Sequence, residues 1–144
     1  MRCRLALLFS LLAASPALAA ERGLTNGGWA TIVSPRSAIE ARVLVTDRVA
    51  PLNVAGKVVH QIGLPYHWGV GDEAFVSGDS ANDLLGLALD PNVHIQESKV
   101  GSCDITPGRR PTGEALLRHV EGYRSRAGVT VETGNELARR VPAP

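Results

Sequence analysis

The stretch Ala38 to Thr46 constrains the fold more than any other, because it alternates strictly between two faces. Ile39, Ala41, Val43 and Val45 share one side and Glu40, Arg42, Leu44 and Thr46 the other, the period of a strand buried on one face only. Trp29 to Ser34 carries strand formers, and Pro35-Arg36-Ser37 breaks the run between the two segments, so together they predict a β-hairpin. A register slip of one residue would turn the whole apolar set toward water, so the buried face fixes the pairing.

The segments around this hairpin are shorter. Ala17 to Arg22 predicts a short helix closed by Gly23, and Asn26-Gly27-Gly28 a turn that tolerates positive φ before the first hairpin strand. After a linker containing Pro51, Val58 to Gly63 predicts another strand, whereas Leu64 to Ser80 follows neither period and reads as a long loop carrying Pro65-Tyr66-His67-Trp68-Gly69. Asn82 to Leu89 suits a short helix, with Ser80 or Asn82 as N-cap and Asp90-Pro91-Asn92 as terminator, and Lys99 to Ile105 is a last candidate strand. Between Gly113 and Arg126, Leu116, Val120 and Tyr123 fall at i, i+4 and i+7, an amphipathic surface helix. Residues 127–144, ending in Val-Pro-Ala-Pro, show no convincing period and read as a tail.

The 144 residues have room for one domain of ordinary size. A net charge of +1 gives no electrostatic footprint for nucleic acid, and an aromatic content of 4 % leaves no stacking platform. Residues 1–19 have the layout of a secretory signal peptide: Arg2 and Arg4, the apolar run Leu5 to Leu12, then small residues ending in Ala17-Leu18-Ala19. Export to the periplasm is the expectation if that leader is genuine. The alternative is the accidental start of a reading frame opening inside a truncated gene. A cut after Ala19 would trim the predicted helix, which favours the second view. The apolar run is too short to span a bilayer. Cleavage would also leave Cys103 without a disulfide partner in the chain.

Chemistry-bearing motifs are sparse. His60, His67, His94 and His119 with Asp72, Glu73 and Cys103 could supply metal ligands, but neither a C-x-x-C pair nor an H-E-x-x-H helix is present. No serine sits in a Gly-x-Ser-x-Gly turn, and Gly69-Val70-Gly71 lacks the third glycine and the preceding strand of a dinucleotide fingerprint. Read from the residues alone, the chain is a small β-rich binding domain with a polar, His-bearing loop.

A resemblance carries the reading further. Leu18 to Trp29, with the "NG" turn at Asn26-Gly27, the "S-x-R" corner at Ser34-Pro35-Arg36-Ser37 and a second strand ending near Val45-Thr46-Asp47-Arg48-Val49, resembles the opening of the last domain of the molybdopterin oxidoreductases. Val59 to Gly69 is similar to the corresponding stretch of respiratory formate dehydrogenase large (alpha) subunits. Ala81-Asn82-Asp83-Leu84, Asp90-Pro91 and Gln96-Glu97-Ser98-Lys99 resemble the later "N-x-L", "D-P" and "P-E-x-K" landmarks, with Gln96 in place of the proline.

The resemblance covers about residues 15–126 and implies a mainly β fold with short helices, a double-psi β-barrel of the aspartate decarboxylase-like kind. It implies that the chain binds molybdopterin guanine dinucleotide as the capping domain of a formate dehydrogenase large subunit, with the remaining domains or subunits of that enzyme as partners. The family's iron–sulfur cysteines and metal ligand belong to upstream domains, so this chain is expected to hold the cofactor, with molybdenum or tungsten held by the complete enzyme, rather than to oxidise formate itself. Carried over residue by residue, the implied cofactor contacts are Arg36, His60, His67, Trp68, Asn82, Glu97 and Lys99. Of these His67 is the foremost candidate. Lys99 and Arg36 can neutralise a pyrophosphate, and Asn82 can pair with a heterocycle edge. Each has a plainer reading: Arg36 as an exposed corner, Asn82 as a helix cap, Trp68 as core, Glu97 as a support for Lys99. The other functional class is a free-standing exported binding module that keeps the fold without a cofactor.

Overall fold

The computed structural model describes residues 11–66, 78–86, 90, 92–93, 95 and 99–129. Among the described residues, seven strands and two helices follow in the order β1 (Leu11–Ala14), α1 (Pro16–Arg22), β2 (Trp29–Val33), β3 (Ala38–Val45), β4 (Leu52–Val54), β5 (Lys57–Val59), β6 (Ile62–Gly63), β7 (Asp104–Pro107) and α2 (Glu114–Ala127), with a 3-10 turn at Ala81–Asp83. Five strands form one open, curled, mixed sheet in the order β6-β1-β3-β2-β7, and β4 and β5 form a separate ribbon.

The predicted hairpin is the centre of this sheet. β2 and β3 pair antiparallel from Trp29↔Arg42 to Val33↔Ala38, and Ile39, Ala41 and Val43 are all at most 2 % exposed, the face the alternation assigned to the core. Both sides of β2 are covered. Ile32 joins a cluster with Leu12, Leu18, Leu24, Ile39, Val43 and Ile105, while Val33 packs with Ala38, Val120 and Tyr123 under α2. The α2 residues doing this are those the i, i+4, i+7 spacing selected, and Arg124 Nε donates to the Pro35 carbonyl at 2.7 Å, pinning the helix to the hairpin turn.

β1 comes from the segment expected to be a leader. It lies between β3, to which it is parallel over Leu11↔Arg42 to Ala14↔Val45, and β6, to which it is antiparallel. Leu12 and Ala14 are fully buried. The next element is capped at both ends: Ser15 Oγ accepts from Leu18 N, Pro16 occupies the first turn where its missing N–H costs nothing, and Gly23 at φ 66° closes the C-terminus by donating to Ala19 O. A cut after Ala19 would remove all of β1 and the first half of α1.

Other boundaries differ from the sequence expectation. The strand expected over Val58 to Gly63 is split, because residues before Gln61 pair back onto β4 in what had read as a linker, and those after it pair with β1. The helix expected over Asn82 to Leu89 is a 3-10 turn within 81–83, and 87–89 lie outside the described residues. The last strand begins at Asp104 rather than Lys99, where β2 becomes available as its partner.

Candidate functional site

Residues 78–86 run past the β2–β3 corner and are fastened to it at two points. At the first, Ser34, 2 % exposed, donates from Oγ to the Leu84 carbonyl at 2.7 Å and accepts from the Arg36 backbone N–H at 3.2 Å. The Arg36 guanidinium reaches over the same corner to the carbonyls of Asn82 and Leu85. At the second, Asp79 accepts the Glu40 backbone N–H at 2.8 Å and pairs through both oxygens with Arg110, while Glu40 takes both the Arg109 guanidinium and the Arg110 N–H.

This ion-pair network sets the local charge. The Arg109 hydrogen bonds hold the Glu40 carboxyl below its ordinary value. Burial alone would raise Asp79, but hydrogen bonds from Arg110 and Glu40 N outweigh it, and its pKa is also lowered. Both carboxylates are therefore ionised at neutral pH, and Arg109 and Arg110 are committed to them. Arg109 also stacks on Trp29, its guanidinium carbon 4.1 Å from the ring centroid, with Arg42 at 4.2 Å from the same ring. None of the ion-pair partners was legible in sequence, since Asp79 and Arg110 lie 31 residues apart and Glu40 and Arg110 lie 70.

The fastened segment forms one wall of a cleft of about 130 Å³. Ala81, Leu84 and Leu85 line that wall, Ile62, Leu64 and Tyr66 line another, and Lys99, Ser102 and Cys103 close the rim. Apolar walls with an ammonium and a hydroxyl at the edge suit a flat heterocycle that continues into an anionic group. Desolvation and then the Asp104 charge push the Cys103 thiol pKa up, so it stays protonated at neutral pH.

The candidates named from sequence divide accordingly. Lys99 lines the cleft, and Asn82 lies in the 3-10 turn of its wall, where its backbone N–H donates to Ser80 Oγ, the cap expected of Ser80. Arg36 meets that wall from outside, as a clamp on two carbonyls. His60 faces α1 instead, its Nε2 3.2 Å from Glu21 Oε2, while its buried Nδ1 has no partner among the described residues. His67, Trp68 and Glu97 lie outside the described residues, although Tyr66, next to His67, lines the cleft. Ser34, Tyr66 and Ser102 were missed: Ser34 stood in a quoted motif, but only the fold shows that its hydroxyl points inward.

Comparison with known proteins adds to this geometry. The family described as "Molydopterin dinucleotide binding domain" matches residues 11–101. The chain is 44 % identical over 85 residues to the "Formate dehydrogenase 2 subunit alpha (cytochrome c-553)" of Nitratidesulfovibrio vulgaris, covering 59 % of this chain and 8 % of that protein. It is 35 % identical over 92 residues to the formate dehydrogenase subunit alpha of Megalodesulfovibrio gigas, covering 64 % and 9 %. Against the nitrate-inducible formate dehydrogenase major subunit of Escherichia coli K12 the figures are 39 % over 79 residues, 55 % and 7 %. The aligned stretch thus spans less than a tenth of each of these relatives.

Proposed function

The chain belongs to the molydopterin dinucleotide binding domain family, and from that premise we propose that it caps a molybdopterin guanine dinucleotide within a formate dehydrogenase of the large-subunit type. The observation that carries the reading is the cleft beside the β2–β3 corner, with apolar walls and Lys99 at its rim. Its volume of about 130 Å³ is well below the ~300–1,000 Å³ of pockets that enclose a whole drug-sized ligand. The described residues therefore fit one end of the cofactor, a single ring system with its adjoining phosphate, and the other end falls to residues beyond them. When bound, the cofactor supplies the redox chemistry.

In this reading Leu64, Leu84 and Tyr66 shelter the ring, Lys99 offsets pyrophosphate charge, and the Asn82 side chain reads a heterocycle edge from the adjoining turn. Arg36 serves by shaping the wall, since its guanidinium is held by the Asn82 and Leu85 carbonyls. The complete topology is that of a double-psi β-barrel, for which the open mixed sheet is one part, and the chain acts as a fragment or split piece of a larger subunit.

The test is complementation. Mixed with a large subunit from which the matching stretch has been removed and with free cofactor, the chain is expected to restore formate oxidation. No restoration at any ratio, alongside normal activity of the intact subunit, refutes the capping role.

A further inference from the structure

The β4–β5 ribbon stands apart from the five-stranded sheet, and all six of its residues are exposed. Leu52 is 49 % exposed, Val54 52 %, Val58 66 % and Val59 44 %. In its register Leu52 lies opposite Val59 and Val54 opposite Lys57. Directly opposed residues of an antiparallel pair share a face, so Leu52, Val54 and Val59 form one apolar side with Lys57 at its end, and Asn53 and Val58 take the other. The turn is formed by Ala55 at φ 49° and Gly56 at φ 78°, the two left-handed residues of a tight hairpin. Alanine in that conformation brings its Cβ against the following carbonyl.

A two-stranded ribbon without a packed face is marginal in water, and this one has a strained corner and exposed valines. Its stability therefore has to come from what covers it. We propose that the Leu52–Val54–Val59 face is the arm by which this chain docks onto an apolar surface of the rest of a formate dehydrogenase large subunit. This rests on the reading in the preceding subsection. Two observations select that occupant. The ribbon lies inside the family match, and in the relatives the aligned stretch is less than a tenth of the polypeptide, so more than nine-tenths of such a protein is available to surround it. A second copy fits worse: symmetric apposition of two such faces either brings the two Lys57 ammoniums together or lays each against the partner copy's apolar Leu52–Val59 pair, and residues 52–59 include no acid to offset the charge in either case.

The experiment titrates the full chain against the Nitratidesulfovibrio vulgaris large subunit with its matching stretch removed, by biolayer interferometry. Val54→Thr combined with Val59→Thr preserves shape and β-propensity while removing apolar surface. It is expected to raise Kd by about tenfold or more, whereas Val58→Thr, on the opposite side, leaves Kd within about twofold. Amide exchange of residues 52–59 is expected to slow on mixing. Equal affinity of the double variant, no binding by the wild-type chain, an equal loss in Val58→Thr, or a dimer of this chain that the double variant dissolves would each overturn the proposal. Dialysis of the same proteins against molybdopterin guanine dinucleotide separates the two readings: cofactor retained without docking sinks the arm alone, and docking retained without cofactor sinks the capping role alone.

Discussion

Leu12→Ala tests whether the apolar N-terminal segment is part of the fold. Leu12 is fully buried, in a strand held between β3 and β6, and packs with Ile32, Ile39 and Val43. The truncation removes three carbons. At about 0.8 kcal/mol each the transfer contribution is about 2.4 kcal/mol, and the cavity left in a closed core brings the total to about 3–4 kcal/mol. That is a large part of the ~5–15 kcal/mol that holds an ordinary domain together. Urea unfolding followed by circular dichroism reads the change as a shift in midpoint at unchanged slope. Leu44→Ala is the internal control, because Leu44 is 40 % exposed on the next strand, and it is expected to cost less than about 1 kcal/mol. A loss below about 0.5 kcal/mol for Leu12→Ala would refute the placement of β1, since a dispensable leader residue can be shortened without consequence.

Other perturbations follow from the corner and the ion pairs. Ser34→Ala strips a buried carbonyl, Leu84 O, of its donor, and is expected to destabilise the chain by about 1–3 kcal/mol, with faster amide exchange over residues 80–86 as the local readout. Asp79→Asn breaks the bidentate contact to Arg110 and is expected to cost about 1 kcal/mol after allowance for solvent screening, measured by thermal melts. The pH dependence has a definite sign. Glu40 and Asp79 have pKa values lowered by folding, so their contribution is fully present above the ordinary values of about 4.3 and 3.9 and is lost as pH falls through the folded values. Melting temperature is therefore expected to drop steeply below about pH 4, and less steeply in Asp79→Asn; an identical acid limb in the two proteins would contradict the network.

Much of the central architecture was legible because its signals are local. The alternation of Ile39, Ala41 and Val43, the break at Pro35, the left-handed Gly23 and the spacing of Leu116, Val120 and Tyr123 each encode an element within a few residues. What escaped depends on distant partners. Leu11–Ala14 has the apolar, small-residue composition of a leader as well as of a buried strand, and its pairing in the sheet depends on β3, some thirty residues further along. β4 carries too short a run to register, and β6 is defined by pairing to β1 alone among the described strands. Within the candidate site, the resemblance named Lys99, which lines the cleft. It could not show that Arg36 is spent on two carbonyls, or that His60 turns toward Glu21, because both depend on which loop lies against which edge.

The central claim, that this chain holds one end of a pterin dinucleotide in the cleft rimmed by Lys99, meets its most direct test in equilibrium dialysis of the full chain against molybdopterin guanine dinucleotide. Saturable binding at one site is expected, weakened about tenfold or more in Lys99→Glu, a loss of ~1.4 kcal/mol, with the melting curve of that exposed variant unchanged. Absence of saturable binding, or equal affinity in the charge-reversed protein, would contradict it.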